Sequence, residues 1–397
     1  MSRPHALIAG AGIGGLCAAL CLARGGWLVS VFDQASALEE AGAGLQLSPN
    51  ASAILRDLDV IERLIPSSLA PRAIKIRRAR DGATLSLMQL DDAEKRWRAP
   101  YLLVHRADLQ QALLDTIAQH DAIAIHTGVA VAGFAAGGDG VAVALRRGLI
   151  RMEAAGDCLV GADGWRSIVR AKLLGSAADA LRFSKRTAWR SLIAASRVAP
   201  DMLRPETSVW LGRKAHLVHY PLRGQTIVNA VAIVEDELGD SGAEKGWSSP
   251  GDPAFLEARF SGWDKTARAL LAAADDWRKW PLFDRDPLEA WTMGRVALLG
   301  DAAHPMLPFL AQGAAQAIED ADALGRALAS DQDIPRALKT YEAMRLRRSS
   351  RVQQQSRRQG EIYHLSGPAA LARDIGLRAL GGERMLARFD WLYDARP

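Results

Sequence analysis

ALIAGAGIGGLCAALCLARGGWLVSVFD, residues 6–33, opens the chain with a strand, a glycine turn, a helix and a second strand. Ala6–Gly10 is a short apolar run that reads as a buried strand. Ile13 to about Gly25 is helical, and Trp27–Asp33 alternates and is β-branched. Between the first strand and the helix stand Gly10, Gly12, Gly14 and Gly15, a G-x-G-x-x-G match. Gly10 permits the tight turn, and Gly12 lets the backbone approach a pyrophosphate. Gly15 lets the helix pack closely on the strand, and the helix dipole faces the phosphates, starting at Ile13. Asp33 ends the second strand, spaced to accept hydrogen bonds from an adenosine ribose, with Gln34 beside it. Glycines, strand, helix and acid in register predict a dinucleotide-binding βαβ unit within a parallel sheet. The motif alone serves FAD and NAD alike.

Length and composition set the outer limits. The 397 residues suggest two or so domains with ample core. Lys+Arg exceed Asp+Glu by 50 − 45 = +5, enough to draw small anions and too little to argue for nucleic acid. Cys17, Cys21 and Cys158 fit no metal-ligand spacing, so no metal is expected. Cys17 and Cys21 lie one helical turn apart and read as small core residues. The N-terminal apolar run is broken by glycines and feeds a βαβ unit, which argues against a leader. With so few cysteines, the reading is a cytoplasmic protein. No uninterrupted apolar span is long enough for a bilayer, so no stable membrane association is expected.

Farther along, IAIHTGVAVAGFAA and GVAVALRR read as strands, and DCLVGAD (Asp157–Asp163) and RVALLGD (Arg295–Asp301) as buried strands ending in an acid. Functional residues at strand carboxyl ends are what an open α/β sheet offers a ligand. TAWRSLIAAS, Ser208–Val234 and part of 74–90 alternate and carry aromatics, which suits an antiparallel sheet with one face packed and one lining a cavity. Two domains therefore interleave. Residues 1–73, 101–176 and 281–333 would bind the cofactor, 74–100 and 177–280 the substrate, and 334–397 would be helical. The basic run YEAMRLRRSSRVQQQSRRQGEIYHL reads as a solvated or partner-packing helix face, compatible with a monomer or a homodimer.

GADGWRSIVR (Gly161–Arg170) and RVALLGDAAHPMLP (Arg295–Pro308) decide between the cofactors. They resemble the second and third fingerprints of the single-component (class A) FAD-dependent aromatic hydroxylase family. GAGLQLSPNA (Gly42–Ala51) resembles that family's loop beside the flavin, and YLLVHRADL (Tyr101–Leu109) its arginine-bearing segment. The likeness covers nearly the whole chain. It implies an α/β fold: a Rossmann-like FAD-binding domain interleaved with an antiparallel-sheet substrate domain, plus C-terminal helices. It implies FAD as cofactor, with NADH or NADPH and O2 as co-substrates. Besides the first glycine turn, the implied FAD contacts are Gly44, Leu45, Gln46, Arg106, Val131, Asp163 and Asp301, and Gly313, Ala314 and Ala315 at a helix start. Pro305 and Pro308 would stiffen the loop lining the flavin face where oxygen reacts. The helix N–H groups would face the flavin pyrimidine carbonyl and favour the anionic reduced flavin.

The chemistry that the resemblance implies is hydroxylation of a small phenolic aromatic acid, of the salicylate or 3-hydroxybenzoate type. NAD(P)H reduces FAD, oxygen adds, and the hydroperoxide transfers oxygen to an electron-rich ring. The phenol must lose its proton, so a base is needed. His216 stands where the family's base stands. Tyr220, four residues on, shares its strand face, and His219 points to the other. His304 reads as holding loop geometry, and His5 and His105 as structural. Gln46, Thr207, Trp210, Pro308 and Phe309 would border the substrate, and Arg190 and Arg223 flank that domain as candidate partners for its carboxylate. Two departures matter. Asp33-Gln34 replaces the family's usual Glu-Arg. Gln46 and Phe309 stand where hydroxynicotinate enzymes have histidines, which argues against that substrate. The competing readings are a hydroxypyridine-type monooxygenase and a flavin oxidase or dehydrogenase that inserts no oxygen.

Overall fold

The first strand, His5–Ala9, lies in the middle of a six-stranded sheet. The order runs Thr292–Met293, Val296–Leu298, Cys158–Gly161, His5–Ala9, Leu28–Asp33 and Ile123–Thr127. Only the first pairing is antiparallel. The central strands His5–Ala9, Cys158–Gly161 and Val296–Leu298 are buried on both faces, which is why they are written as continuous apolar runs. The outer strands are more open. This is a computed structural model, and it describes residues 3–38, 43–175, 180–236 and 248–394. Gly42, at the head of the flavin-loop stretch, lies outside the described residues.

Helix Ile13–Arg24 packs against helix Gly313–Ser330 through small residues. A side chain on Gly14 would stand 3.1 Å from the Ala317 side chain, and one on Gly325 would stand 2.8 Å from that of Cys21. Cys21 is thus a spacer between two helices, and Cys17 is fully buried beside it. The crossing brings both helix N-termini to the carboxyl edge of the parallel sheet.

An eight-stranded sheet forms the second layer. Its order is Ser249–Gly251, Trp277–Asp284, Arg182–Ala194, Ile227–Glu235, Ala215–Leu222, Glu206–Gly212, Ala73–Arg78 and Thr84–Gln89. One face carries Trp189, Trp210, Leu217, Val228 and Ala230, packed under the helices Pro253–Arg259 and Lys265–Ala272. The opposite face carries Ala188, Tyr220 and Ile233 and meets Leu307 and Phe309 of the proline loop and Val352 of helix Ile334–Tyr363. Two smaller sheets complete the scaffold: the meander Ala130–Ala136, Val141–Arg147, Ile150–Gly156, and the pair Gly44–Leu47 with Leu102–His105.

The basic run in Ile334–Tyr363 is in part the solvated face expected of it, with Arg347, Arg351 and Arg358 exposed, but its other arginines turn inward. Arg345 is fully buried between Glu319 and Asp320. Arg348 pairs with Glu319, and Arg357 joins Asp284 and Asp286. Partners within the chain consume these charges. Among the described residues, no helix is long and apolar enough to cross a membrane.

Candidate active site

The candidate site begins at the first glycine turn. Gly10 adopts φ +100°, and a side chain there would collide with the Ala162 carbonyl oxygen at 2.4 Å. One on Gly15 would strike the Gly10 carbonyl, whereas one on Gly12 would meet nothing within 4 Å. Gly10 and Gly15 are therefore small for the protein's sake, and Gly12 borders open space. Ile13 is buried, so only its backbone faces the turn. Asp33 accepts from Ala11 N at 2.7 Å and Ala35 N at 2.8 Å, leaving each oxygen a further acceptor position. Gln34 is exposed next to it.

Asp301 lies one 3₁₀ turn past Val296–Leu298 rather than at the strand end. It is exposed, yet the protein packed around it raises its carboxyl above the ordinary range by desolvation. His304 and Arg106 pull it back down, while Asp320 adds to the rise. The Asp301 carboxylate has no hydrogen-bond partner among the described residues. Close by, Gln312 precedes helix Gly313–Ser330 with its side chain bonded to Ser48 and Asn50 rather than to the helix end, and a side chain on Gly313 would meet nothing within 4 Å. Helix Ile13–Arg24 is likewise uncapped by any side chain. Two bare helix N-termini, an open glycine and an unpartnered acid suit a flavin dinucleotide.

The loop between them is held from behind. Arg170, buried, donates to the Ala302 and Ala303 carbonyls, both at 2.9 Å. Gln353 donates to the Pro305 carbonyl at 2.9 Å and Ser356 to that of Leu307 at 2.5 Å. His304 bonds Asp320 at 2.6 Å, and Gly300 N donates to the same oxygen at 2.9 Å. Burial pushes the Asp320 carboxyl up, but His304 and Arg345 outweigh it and hold it at about 2. Pro305 is buried, Pro308 begins a 3₁₀ turn, and Phe309 packs 5.6 Å from the His216 ring.

Facing this loop, the sheet sets out its own groups. His216 and Tyr220 share a face of Ala215–Leu222, and His219 lies behind with Trp210. His216 is 1% exposed, and desolvation plus the Arg186 charge lower its pKa to about 3, so it is a neutral imidazole. Tyr220 sits where a side chain on Gly44 would go, and Gly44 N donates to Asn229 Oδ1 at 2.9 Å. Leu45 is half-buried against the main core. Gln46 accepts from the Tyr101 hydroxyl at 2.9 Å. Arg190, on the neighbouring-but-one strand, makes no hydrogen bond or ion pair among the described residues and lies 5.3 Å over the Trp280 ring. Burial disfavours its charge, Tyr220 favours it and Arg106 opposes it.

Several expected residues take other positions. Trp210 lies on the opposite sheet face, in the core under the two helices, with Arg77 stacked 4.8 Å over it, so it cannot border the substrate. The Asp163 carboxylate caps helix Ile168–Leu174, accepting from Ser167 Oγ, Ile168 N and Val169 N. It shapes the fingerprint turn rather than presenting itself to a cofactor. Arg223 is bound to Asp108 through two nitrogens and offers no open charge. Val131 is a buried core side chain with only its backbone to offer. Thr207 is on the His216 face but only 1% exposed, its hydroxyl unpartnered. Ala314 and Ala315 start the helix, Ala315 wholly buried. His105 caps helix Arg106–Ile117, and His5 bonds Ser30.

Known proteins resemble this chain along nearly its whole length. The family model described as FAD binding domain matches residues 3–356. The chain is 38% identical over 394 residues to 3-amino-4-hydroxybenzoate 2-monooxygenase PtnB3 of Streptomyces platensis, covering 98% of this chain and 96% of that one. It is 33% identical to 3-hydroxybenzoate 6-hydroxylase of Polaromonas naphthalenivorans, covering 98% and 95%. The crystal structure of Klebsiella pneumoniae HpxO complexed with FAD and uric acid superposes with a TM-score of 0.85 at 27% identity, covering 97% of this chain and 95% of that one. With FAD as its cofactor and NAD(P)H and O2 as co-substrates, the chain belongs to the FAD-dependent aromatic monooxygenase family.

Proposed function

We propose that the substrate is a small phenolic carboxylate of the hydroxybenzoate class, held by Arg190 and deprotonated by His216. The observation that carries this is an arginine with no hydrogen bond or ion pair among the described residues and a neutral histidine, on one sheet face. Arg190 pairs with Val231, and Val231 pairs with Val218, so Arg190 lies level with the midpoint between His216 and Tyr220. Two strand spacings separate them, about 10 Å. A benzoate ring with a hydrogen bond at each end spans such a gap. The relatives' printed substrates, 3-hydroxybenzoate and 3-amino-4-hydroxybenzoate, share both groups.

Bound FAD supplies the oxidising chemistry, held by the first glycine turn, Asp33, Asp301 and the Gly313 helix start. The rest falls to side chains. His216, kept neutral by burial, accepts the phenol proton at Nε2, because its Nδ1 faces His364. Tyr220 orients the ring from the same face. Leu307, Pro308 and Phe309 close the pocket against water, which strengthens every charge interaction inside. The Gly313 helix end favours negative charge beside it. The partner is a small molecule, with no nucleic acid and no membrane, in the cytoplasm.

The test is a panel of hydroxybenzoates and their uncarboxylated phenols under ¹⁸O2, with NADH and NADPH each supplied. Label in the product with a carboxylated substrate is the expected result. Equal turnover of neutral phenols would remove the anion site, and unlabelled product would remove oxygen insertion.

A further inference from the structure

Behind His216 the polar chain continues. Its Nδ1 lies 2.8 Å from Nε2 of His364, the residue that ends helix Ile334–Tyr363. Nδ1 of His364 lies 3.3 Å from Glu235 Oε1, and Glu235 closes strand Ile227–Glu235 at the protein surface. The two imidazoles are each 1% and 4% exposed, whereas the Glu235 side chain is 24% exposed. Phe309 and Tyr363 pack against the His216 ring at 5.6 and 5.1 Å, which shuts off a direct path to water.

We propose that His364 and Glu235 form a proton exit from the active site, carrying to solvent the proton that His216 takes from substrate. The phenol O–H breaks as an N–H forms at His216 Nε2. The Nδ1 proton of His216 passes to His364 Nε2, and the Nδ1 proton of His364 passes to the Glu235 carboxylate. One proton leaves the substrate and one arrives at Glu235. Neither imidazole keeps a charge, and both end in the opposite tautomer.

The surroundings of His364 support both tautomers. Its Nδ1 is 3.3 Å from an acceptor, Glu235 Oε1, and also 3.3 Å from a donor, Nε of Arg186. Before transfer the Nδ1–H faces Glu235. After transfer the bare Nδ1 can accept from Arg186. A merely structural histidine needs only one of these partners. The charges around the pair oppose a stored imidazolium. Arg186 faces both rings from its strand, Arg259 and Arg373 face His364 from neighbouring helices, and burial acts in the same direction. Glu235 and Glu361 temper Arg186, and Lys214 lies 3.6 Å from Glu235. A proton accepted by His216 therefore has a strong reason to move on rather than stay.

This inference rests on His216 being the base, and the experiment separates the two. FAD-loaded protein binds a nitro-substituted hydroxybenzoate, whose phenolate absorbs visible light. A stopped-flow pH jump then times the ionisation of the bound phenol. His364→Gln keeps an acceptor for the His216 Nδ1–H but cannot pass a proton. It should slow ionisation by about 10²-fold while the ligand binds as in wild type. Glu235→Gln, at the surface and tolerant of change, should also slow it. His216→Ala should slow it most. Wild-type rates in both His364→Gln and Glu235→Gln, with His216→Ala slow, would overturn the exit and leave the base intact. A wild-type rate in His216→Ala would overturn the base itself.

Discussion

Replacing Arg345 with methionine should destabilise the protein by about 3–5 kcal/mol, because it breaks a fully buried ion network from one side. Arg345 donates to Asp320 at 2.7 Å, to Gln316 Oε1 at 2.8 Å and to Glu319, and all three charged residues have no exposed side chain. Glu319 keeps Arg348 and Asn50 in the variant, and Asp320 keeps His304 and Gly300 N. One negative charge is then unbalanced in a dry core. Against a usual total of about 5–15 kcal/mol, that is a large share. Urea unfolding at pH 7.5 measures it, with and without saturating FAD. The apo variant should lose stability, and its FAD-induced gain should also shrink, since Asp320 shapes the turn bearing Asp301. The pH dependence has a definite sign. In the wild type the depressed Asp320 contributes stability above its unfolded value of 3.8, lost as pH falls toward about 2. Without Arg345 the carboxylates rise above their unfolded values, so lower pH favours the folded variant and the gap to wild type narrows. Arg345→Lys restores charge without the planar fork and should fall between the two. A loss below about 1 kcal/mol for Arg345→Met, a value ordinary surface changes approach, would refute this account of the network.

Other consequences can be measured separately. Asp301→Ala should weaken FAD by about 10–150-fold, the loss of a charged hydrogen bond worth about 1.5–3 kcal/mol; full flavin absorbance after gel filtration at low concentration would contradict it. His216→Ala should cut product formation by about 10²–10⁴-fold, release hydrogen peroxide instead, and recover partly as pH approaches the phenol's own pKa; unchanged coupling at pH 7 would reduce His216 to a wall residue. Arg190→Met should raise KM for a carboxylated substrate and leave that for a neutral phenol alone; equal effects on both would remove it as the anion partner. Acid should unfold the protein early: His216 and His219 are held at about 3 and His364 at about 2 against an ordinary 6.5. Below that ordinary value the unfolded chain takes up protons the native state refuses, so stability falls by up to about 1.4 kcal/mol per pH unit for each, and a Tm flat from pH 7 to 5 would contradict it.

What could be read in the sequence was local. The glycine turn, its strands and Asp33 fall within 28 residues, and Gly15 and Asp33 meet partners close by in the chain, although Gly10 is held against Ala162. The shared face of His216 and Tyr220 follows from the period of a strand, and the same rule exposes an error. Thr207 and Trp210 are three apart in Glu206–Gly212, so only one of them can face a pocket. The Asp163 cap also left a sign, since Ser167 stands just before an apolar helix and reads as an N-cap. Asn229 interrupts an otherwise apolar strand and fixes Gly44, a mark that pattern reading passed over. His364 and Arg345 left none. Their partners are 148 and 25 residues away, a relation that only the folded chain establishes.

The long C-terminal helix was hardest to read because its buried stripe is polar. Arg345, Ser349, Gln353, Ser356, Gly360 and His364 advance in steps of three or four, and each is buried. Apolar periodicity would have announced a core helix, whereas this stripe looks like a solvated face. The reason lies in what it covers. A loop through Pro305 and Pro308 has no ladder to satisfy its carbonyls, so donors must come from elsewhere. Gln353 and Ser356 supply them at Pro305 and Leu307. Gly360 has no side chain because the Phe309 ring occupies that space, at 2.5 Å from where a Cβ would stand. Arg345 neutralises the acids that hold the Gly300 turn, and His364 meets His216 at the far end. One helix face therefore reaches from the Gly300 turn to His216. A rigid, water-poor loop needs polar support behind it, and a polar helix packed inward provides that support.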